Sequence, residues 1–437
     1  IETWYGEKRP FFLADGDLFD TPLKLFHTRR IGAVPAPPDV PDGWLLDRRP
    51  GEARIWEALK LGGELAPGWT IGAVSALTGE ETVGSIGPAG ERADRVAAPL
   101  SHFAVLRLRH DFGGDNAVGL LATAVNRFEP GMYAGELCPS GRSPREGRCY
   151  SDAYVAAVDG NFRTEDGDWA GAAQAALTAL VGGPSRSLAD GTSLDAGDLG
   201  WAAAAWVAKG GEPWRARLET SAYSAEAWTN DLGYQSRGNI WKMYANAGWW
   251  AGELGDAVQS LQVRAEAWDQ VNLDGLLRWH RYGVEADTLL EGNNWLLLRL
   301  HATPPAWDDR ELRDGAALRT PGWAGVELGV STDYRYPVTL DLWGEVLFWK
   351  DRWSTYVEAD LVLKPADVLT LELAPTFEYQ TGAPAYVDVT EVTGERRYLL
   401  GDLEASALGV TLRATWAITP RLTLQGYGQL FLAAADY

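Results

Sequence analysis

Long apolar runs are missing from this chain. A helix needs about 20 apolar residues to cross a bilayer, and the stretch WAAAAWVA at 201–208 is the longest here. A membrane helix is therefore excluded. Basic residues are in deficit: 39 Lys and Arg against 60 Asp and Glu leave a net charge of −21. A nucleic-acid binder needs a basic face to displace counterions from phosphate, so nucleic acid is excluded as a partner. Methionine is scarce, with two residues beside 21 Trp and 16 Tyr, a balance unlike that of ordinary cytoplasmic enzymes. There is no P-loop, no Rossmann glycine fingerprint and no G-x-S-x-G. The His residues at 27, 102, 110, 280 and 301 offer no pair at metal-ligand spacing. The acidic pairs Glu80–Glu81 and Asp308–Asp309 read as solvated loop surface. No catalytic residue, metal or cofactor is expected, and the chain is not read as an enzyme. It begins at Ile1 without an initiator Met or signal peptide, which reads as a mature or trimmed fragment.

Only two cysteines occur, Cys138 and Cys149, and they bracket the polar loop CPSGRSPREGRC. A loop-closing disulfide formed in an oxidising compartment is the expectation, with two unpaired thiols as the alternative.

What the chain has in abundance is alternation. In NIWKMYANAGWW (239–250), Trp241, Met243, Ala245, Ala247 and Trp249 share one parity, and Lys242, Tyr244 and Asn246 the other. The same period of two runs through PWRARLETSAYS, SLQVRAEAW, STYVEADLVL and RLTLQGYGQLFL, so these segments are strands facing two different environments. Strands of about 10 to 14 residues exceed the usual soluble length of about 5 to 6. Trp214, Trp241, Trp249 and Trp416 sit near strand ends, where an interfacial aromatic girdle belongs. Trp241 and Trp249 are eight residues apart, about 26 Å along a strand at about 3.3 Å per residue. A tilt near 40° turns that into about 20 Å of depth, against an apolar band of about 25 Å.

Connections decide between a soluble sandwich and a membrane barrel. Short turns (64–69, 111–116, 164–169, 209–214, 252–256, 290–294, 364–368, 418–422) alternate with longer links (79–98, 138–149, 184–196, 226–238, 305–321, 381–401). The links after Asp269 and Lys350 break the scheme. Short periplasmic turns and long outer loops mark a transmembrane barrel. The expected fold is thus all-β, a large antiparallel transmembrane β-barrel over residues 22–437, preceded by a periplasmic lead-in or partial plug over 1–21. Strands are expected near 22–32, 52–64, 68–78, 100–112, 115–128, 150–164, 168–183, 197–209, 213–225, 239–252, 257–269, 275–289, 293–304, 323–334, 338–350, 353–364, 369–380, 403–417 and 421–435. These make about nineteen, and since single-chain bacterial barrels have even counts, twenty or more with a closing strand beyond Tyr437 are expected. Pro375 interrupts TLELAPTFEY and should mark a bulge.

Residues 8–32, KRPFFLADGDLFDTPLKLFHTRRIG, begin with an apolar cluster instead of alternation. They resemble an uncharacterised family of bacterial outer-membrane barrel domains whose signature R-P-F-F-L-E-G-x-x-x-F leads into a strand ending S-R-R-I-G. The matching residues are Arg9, Pro10, Phe11, Phe12, Leu13 and Phe19, then Thr28, Arg29, Arg30, Ile31 and Gly32; Ala14 replaces the family's acid. The resemblance extends through TAVNRF (123–128) to the closing LQGYGQLFLAAADY. It implies an outer-membrane barrel, often found C-terminal to a domain similar to family 9 carbohydrate-binding modules, with no activity to carry over.

On the polar parity lie Arg215, Arg217, Glu219, Lys242, Arg264, Glu266, Arg281, Glu285, Asp341, Glu345, Glu358, Asp360, Glu372, Glu378 and Arg413, the expected lumen-lining set. Basic residues gather at 213–281 and acidic ones at 341–378. Such opposed walls could orient polar solutes in an aqueous pore, or they could close into a salt-bridge lattice that stiffens the lumen. The expected function is a porin-like passage for hydrophilic solutes in the bacterial outer membrane, surrounded by lipid and lipopolysaccharide. A barrel anchoring a periplasmic or surface protein partner is the alternative, and an outer-membrane hydrolase a weaker one.

Overall fold

Alternating side chains dictate extended backbone, and the backbone follows them almost throughout. In a computed structural model of the chain, the residues described are 6–14, 16–129, 138, 140–350 and 352–436. The protein is all-β and its long strands are antiparallel. One short helix, α1 (Pro10–Leu13), precedes β1 (Leu45–Leu46), β2 (Ile55–Ala66), β3 (Trp69–Thr78), β4 (Glu81–Ile86), β5 (Arg92–Ala98) and β6 (Leu100–Gly113). There follow β7 (Asn116–Phe128), β8 (Asp152–Arg163), β9 (Trp169–Val181), β10 (Arg186–Ser187), β11 (Ser193–Leu194) and β12 (Leu199–Lys209). Next come β13 (Trp214–Tyr223), β14 (Ile240–Leu254), β15 (Val258–Val271), β16 (Leu277–Leu290), β17 (Asn294–Thr303), β18 (Ala306–Asp308) and β19 (Leu318–Thr320). The last are β20 (Trp323–Ser331), β21 (Val338–Trp349), β22 (Arg352–Ala366), β23 (Leu369–Val392), β24 (Glu395–Thr419) and β25 (Leu422–Asp436). Among the described residues no helix is long and apolar enough to cross a membrane.

Two compact units divide the chain. The first holds Ile1–Ala208, Glu219–Lys242 and Asn272–Gly275; the second holds Lys209–Leu218, Met243–Val271 and Leu276–Tyr437. In the first unit, β2, β3, β6, β7, β8 and β9 pair in sequence as a meander. The turn into β3 needs Gly68, whose φ is +78° and whose Cβ would lie 2.7 Å from the Asp111 carbonyl. In the second unit the ladder runs β15–β16–β17–β20–β21–β22–β23–β24–β25.

One face of the first unit's sheet is buried. The registered rows Val74–Val105–Thr123–Val155–Thr178 and Ala76–Phe103–Val125–Ala153–Leu180 form it, and Phe12, Phe19 and Ile31 pack on it. On the other face Leu106, Leu120, Val158 and Leu177 are more than half exposed.

The strand expected at 22–32 does not form. Leu23, Leu25 and His27 are buried and Lys24 is exposed, so the alternation is real. It arises because an extended segment lies flat on the buried face, ending in a 3-10 turn at Thr28–Arg30. The other expected strands are found to within a few residues, except around 381–401. There a long loop was expected, and β23 and β24 instead run on to a turn at Thr393 and Gly394, both in left-handed conformation. The Val- and Tyr-rich stretch closed by Thr-Gly is hairpin sequence, and Arg396 and the Tyr398 hydroxyl donate to Asp314 in the facing loop at 2.8 and 2.5 Å. Pro375 makes no bulge. It pairs with Val410 in unbroken register, while pairing to β22 lapses between Glu358–Thr376 and Leu361–Leu373 without a register change. The missing N–H is absorbed as lost ladder bonds on one side. Between Cys138 and Cys149 the disulfide is formed, with Cα atoms 5.2 Å apart.

Candidate functional site

Strand register in the second unit lines up a row of charge. Arg264 pairs with Glu285, Glu285 with Arg299, Arg299 with Glu327, Glu327 with Glu345, Glu345 with Tyr356, and Tyr356 with Glu378. Because side chains alternate faces along a strand, all of these stand on one side of the sheet. Arg264 Nη2 meets Glu285 Oε1 at 2.5 Å, and Arg299 donates through Nε to Glu285 Oε2 at 2.6 Å and through Nη1 to Glu327 Oε2 at 2.5 Å. The Trp343 indole donates to the other Glu327 oxygen at 2.9 Å. Arg281 lies 3.7 Å from Glu327 and 3.9 Å from Glu345, and Glu266 lies 3.7 Å from Arg299. Glu285 and Glu327 side chains are only 2% and 5% exposed. The guanidinium forks supply the hydrogen bonds that burial denies these carboxylates from water.

His301 fits a slot made by glycines. On β17 its cross-strand neighbours are Gly283 and Gly325, and Nε2 comes within 3.2 Å of Glu345 Oε1. A methyl at Gly325 would overlap the imidazole and press on Leu347. Gly325→Ala is therefore expected to lower stability by about 1–3 kcal/mol, the usual range for overpacking. Denaturant midpoints of Gly325→Ala and of the same change with His301→Ala check this: the second substitution should return most of the loss.

The first unit has its own polar centre, in the loop 226–238. Asp231 accepts from Arg127 Nη2 at 2.5 Å and from the Trp228 indole at 2.7 Å, with Arg186 at 3.6 Å. Burial pushes its carboxyl up, but Arg127 and Arg186 outweigh that and hold it below the ordinary range. The loop is tied internally by Gln235, which accepts from the Thr229 amide at 3.1 Å, and by Asn230 Nδ2 donating to the Gln235 carbonyl at 2.8 Å.

That loop holds the N-terminal segment. His27 N donates to the Leu232 carbonyl and Tyr234 N to the Lys24 carbonyl, each at 2.7 Å. Arg30 donates to the Gly233 carbonyl and to Asn230 Oδ1, each at 3.0 Å. Burial, then the Arg30 charge, lowers the His27 imidazole from 6.5 to about 4, with Arg29 and Arg9 adding to the effect and Glu7 opposing it. A lowered folded value favours the neutral ring, so its contribution to docking is present above pH 6.5 and is lost as pH falls through 4. Protection factors of the 23–31 amides, taken against the intrinsic exchange rate at each pH, should fall on acidification over that window, and His27→Gln should flatten the dependence.

Of the expected lumen-facing residues, the ladder brings together Arg264, Glu266, Arg281, Glu285 and Glu345. Arg215 lies over Trp250, 4.6 Å from the ring centre, with Arg217 and Glu219 following at the same parity of β13. Lys242 donates to Ser236 Oγ at 3.1 Å, Asp341 is bonded to Ser331, and the Tyr356 hydroxyl donates to Glu358 at 2.7 Å. Arg413 pairs with Glu372 at 2.5 Å. Asp360 keeps one buried oxygen without a partner, and Glu378 is exposed. Among the aromatics, Trp214, Trp241 and Trp416 are exposed and Trp249 is half-buried. Opposed walls and a salt-bridge lattice were both open from the sequence, and Arg264 and Arg281 stand among carboxylates, as in a lattice. Sequence reading missed Arg299, His301 and Glu327. Each is flanked by apolar residues in NWLLLRLHAT and WAGVELGVS, and a lone charge in such a strand was the signal available.

Long amphipathic strands, paired antiparallel with charge ordered on one face, define an all-β sheet protein. The chain belongs to the family described as Domain of unknown function (DUF5916), whose model matches residues 1–135 and 142–437. No curated protein and no solved structure is significantly similar to it.

Proposed function

We propose that the sheet closes into a β-barrel spanning the bacterial outer membrane, with a passage for hydrophilic solutes lined by the charged ladder. One observation carries this. A single step along each ladder strand from β15 to β23 exchanges the charged row for an apolar one that runs on into β24 and β25, Val263–Ala286–Leu298–Leu328–Gly344–Val357–Phe377–Leu408–Leu432, without one polar side chain. Its seven large members are between 36% and 55% exposed. Leaving them in water costs on the order of 10 kcal/mol, comparable to the whole stability of a domain. Lipid removes that cost, and the ladder strands, 9 to 25 residues long, reach the about 9–11 that a tilted crossing needs. A disulfide, favoured in oxidising compartments, agrees with this location.

The protein reconstituted in planar bilayers tests the reading. Discrete conductance steps in KCl are expected. A silent membrane, together with a stoichiometric protein that copurifies, would replace the passage with an anchoring role.

A further inference from the structure

We propose that residues 9–31 are a built-in plug that sets the size limit of the passage, an inference that rests on the reading above. Among its described residues the segment forms no strand and adds nothing to the sheet ladder. It lies across the buried face of the first unit with Phe12, Phe19, Leu23, Leu25 and Ile31 turned to the wall. The wall is shaped to receive it: Gly72 leaves the space where Leu18 and Phe19 sit, and a Cβ there would come 2.6 and 2.8 Å from their side chains.

Polar anchors fix it along its length. Gln174 Oε1, from the wall itself, accepts the Leu23 amide at 2.7 Å, and Lys60 Nζ bonds the Ala14 carbonyl. Arg9 donates to the Ile31 and Thr28 carbonyls at 2.9 and 2.7 Å, closing the segment on itself. Loop 226–238 supplies further bonds through Asn230, Leu232, Gly233 and Tyr234, and Asp231 ties that loop to Arg127 on β7.

The wall beneath is apolar, with Val74, Phe103, Val105, Leu121 and Val125 all buried. Removing the segment would turn those residues to water, so it is a fixed constriction and not a hinged gate. Its other side, with Asp17, Asp20, Pro22 and Lys24 exposed, is what a passing solute meets.

Two sets of variants test the plug, each read as KCl conductance and as entry of sugars of rising size into liposomes. Arg30→Ala with Gln174→Leu removes anchors while sparing the apolar contacts. Faster hydrogen exchange at 23–31 with a several-fold rise in conductance and entry of larger sugars is expected. Release by exchange with unchanged conductance overturns the plug and leaves the passage standing. Lys24→Trp and Pro22→Trp add bulk on the exposed side without touching the wall, and conductance should fall below that of the parent protein. Conductance unmoved by either also overturns the plug. No conductance in the parent or any variant ends the passage reading and the plug with it.

Discussion

Replacing Arg299 with Met is expected to destabilise the protein by about 3–5 kcal/mol, the cost of stripping one partner from a buried ion pair. Arg299 is the shared cation of the ladder. Its guanidinium touches Glu285 and Glu327 and stands 3.7 Å from Glu266, and all three carboxylates are buried. Methionine fills most of the volume but leaves those charges facing one another. Part of the loss should return when Glu327→Gln is added, because one uncompensated charge is then removed. Arg299→Lys should fall in between: the charge survives, but an ammonium cannot serve two carboxylates through a planar fork. Denaturant titrations of the refolded protein in lipid measure the series. A change below about 1 kcal/mol for Arg299→Met, the range of exposed pairs, would show that solvent screens the Glu285 and Glu327 carboxylates as it does an exposed pair.

Asp231→Asn is the second large effect, also about 3–5 kcal/mol, but with a local signature. The amide is nearly the same size, so packing is kept while the charge facing Arg127 and Arg186 is lost. The loop 226–238 should loosen first and take the N-terminal segment with it, because the bonds to His27 and Arg30 come from that loop. Hydrogen exchange should therefore rise at 23–31 and 227–235 while the central amides of β15–β17 stay protected. Uniform acceleration everywhere would mean that Asp231 supports the whole fold and not this latch.

Much of the architecture was legible because strand alternation is a local property. Ile55–Ala66 or Leu277–Leu290 can be read from parity alone, since each residue's face follows from its neighbours two positions away. The 22–32 segment misled for the same reason: an extended chain on an apolar wall shows the same parity as a strand in a ladder. Pro375 misled because a lost N–H can be met by a bulge or by a gap in pairing, and only the neighbouring strands choose. The ladder was half legible. Arg264 and Glu285 stood out on polar parity, but Arg299 and Glu327 are lone charges among Leu, Val and Gly, and their importance lies in which residues stand opposite.

By itself the sequence determined the strands, their two unlike faces, the Cys138–Cys149 link and the absence of nucleotide and hydrolase motifs, because each of these depends on residues close together in the chain. Only the tertiary structure decided that Arg299 joins Glu285 to Glu327, that His301 fills a space left by two glycines, and that residues 9–31 lie on the wall of β3 to β9. Those facts depend on register between strands up to tens of residues apart, and register is set by the sum of pairings across the sheet.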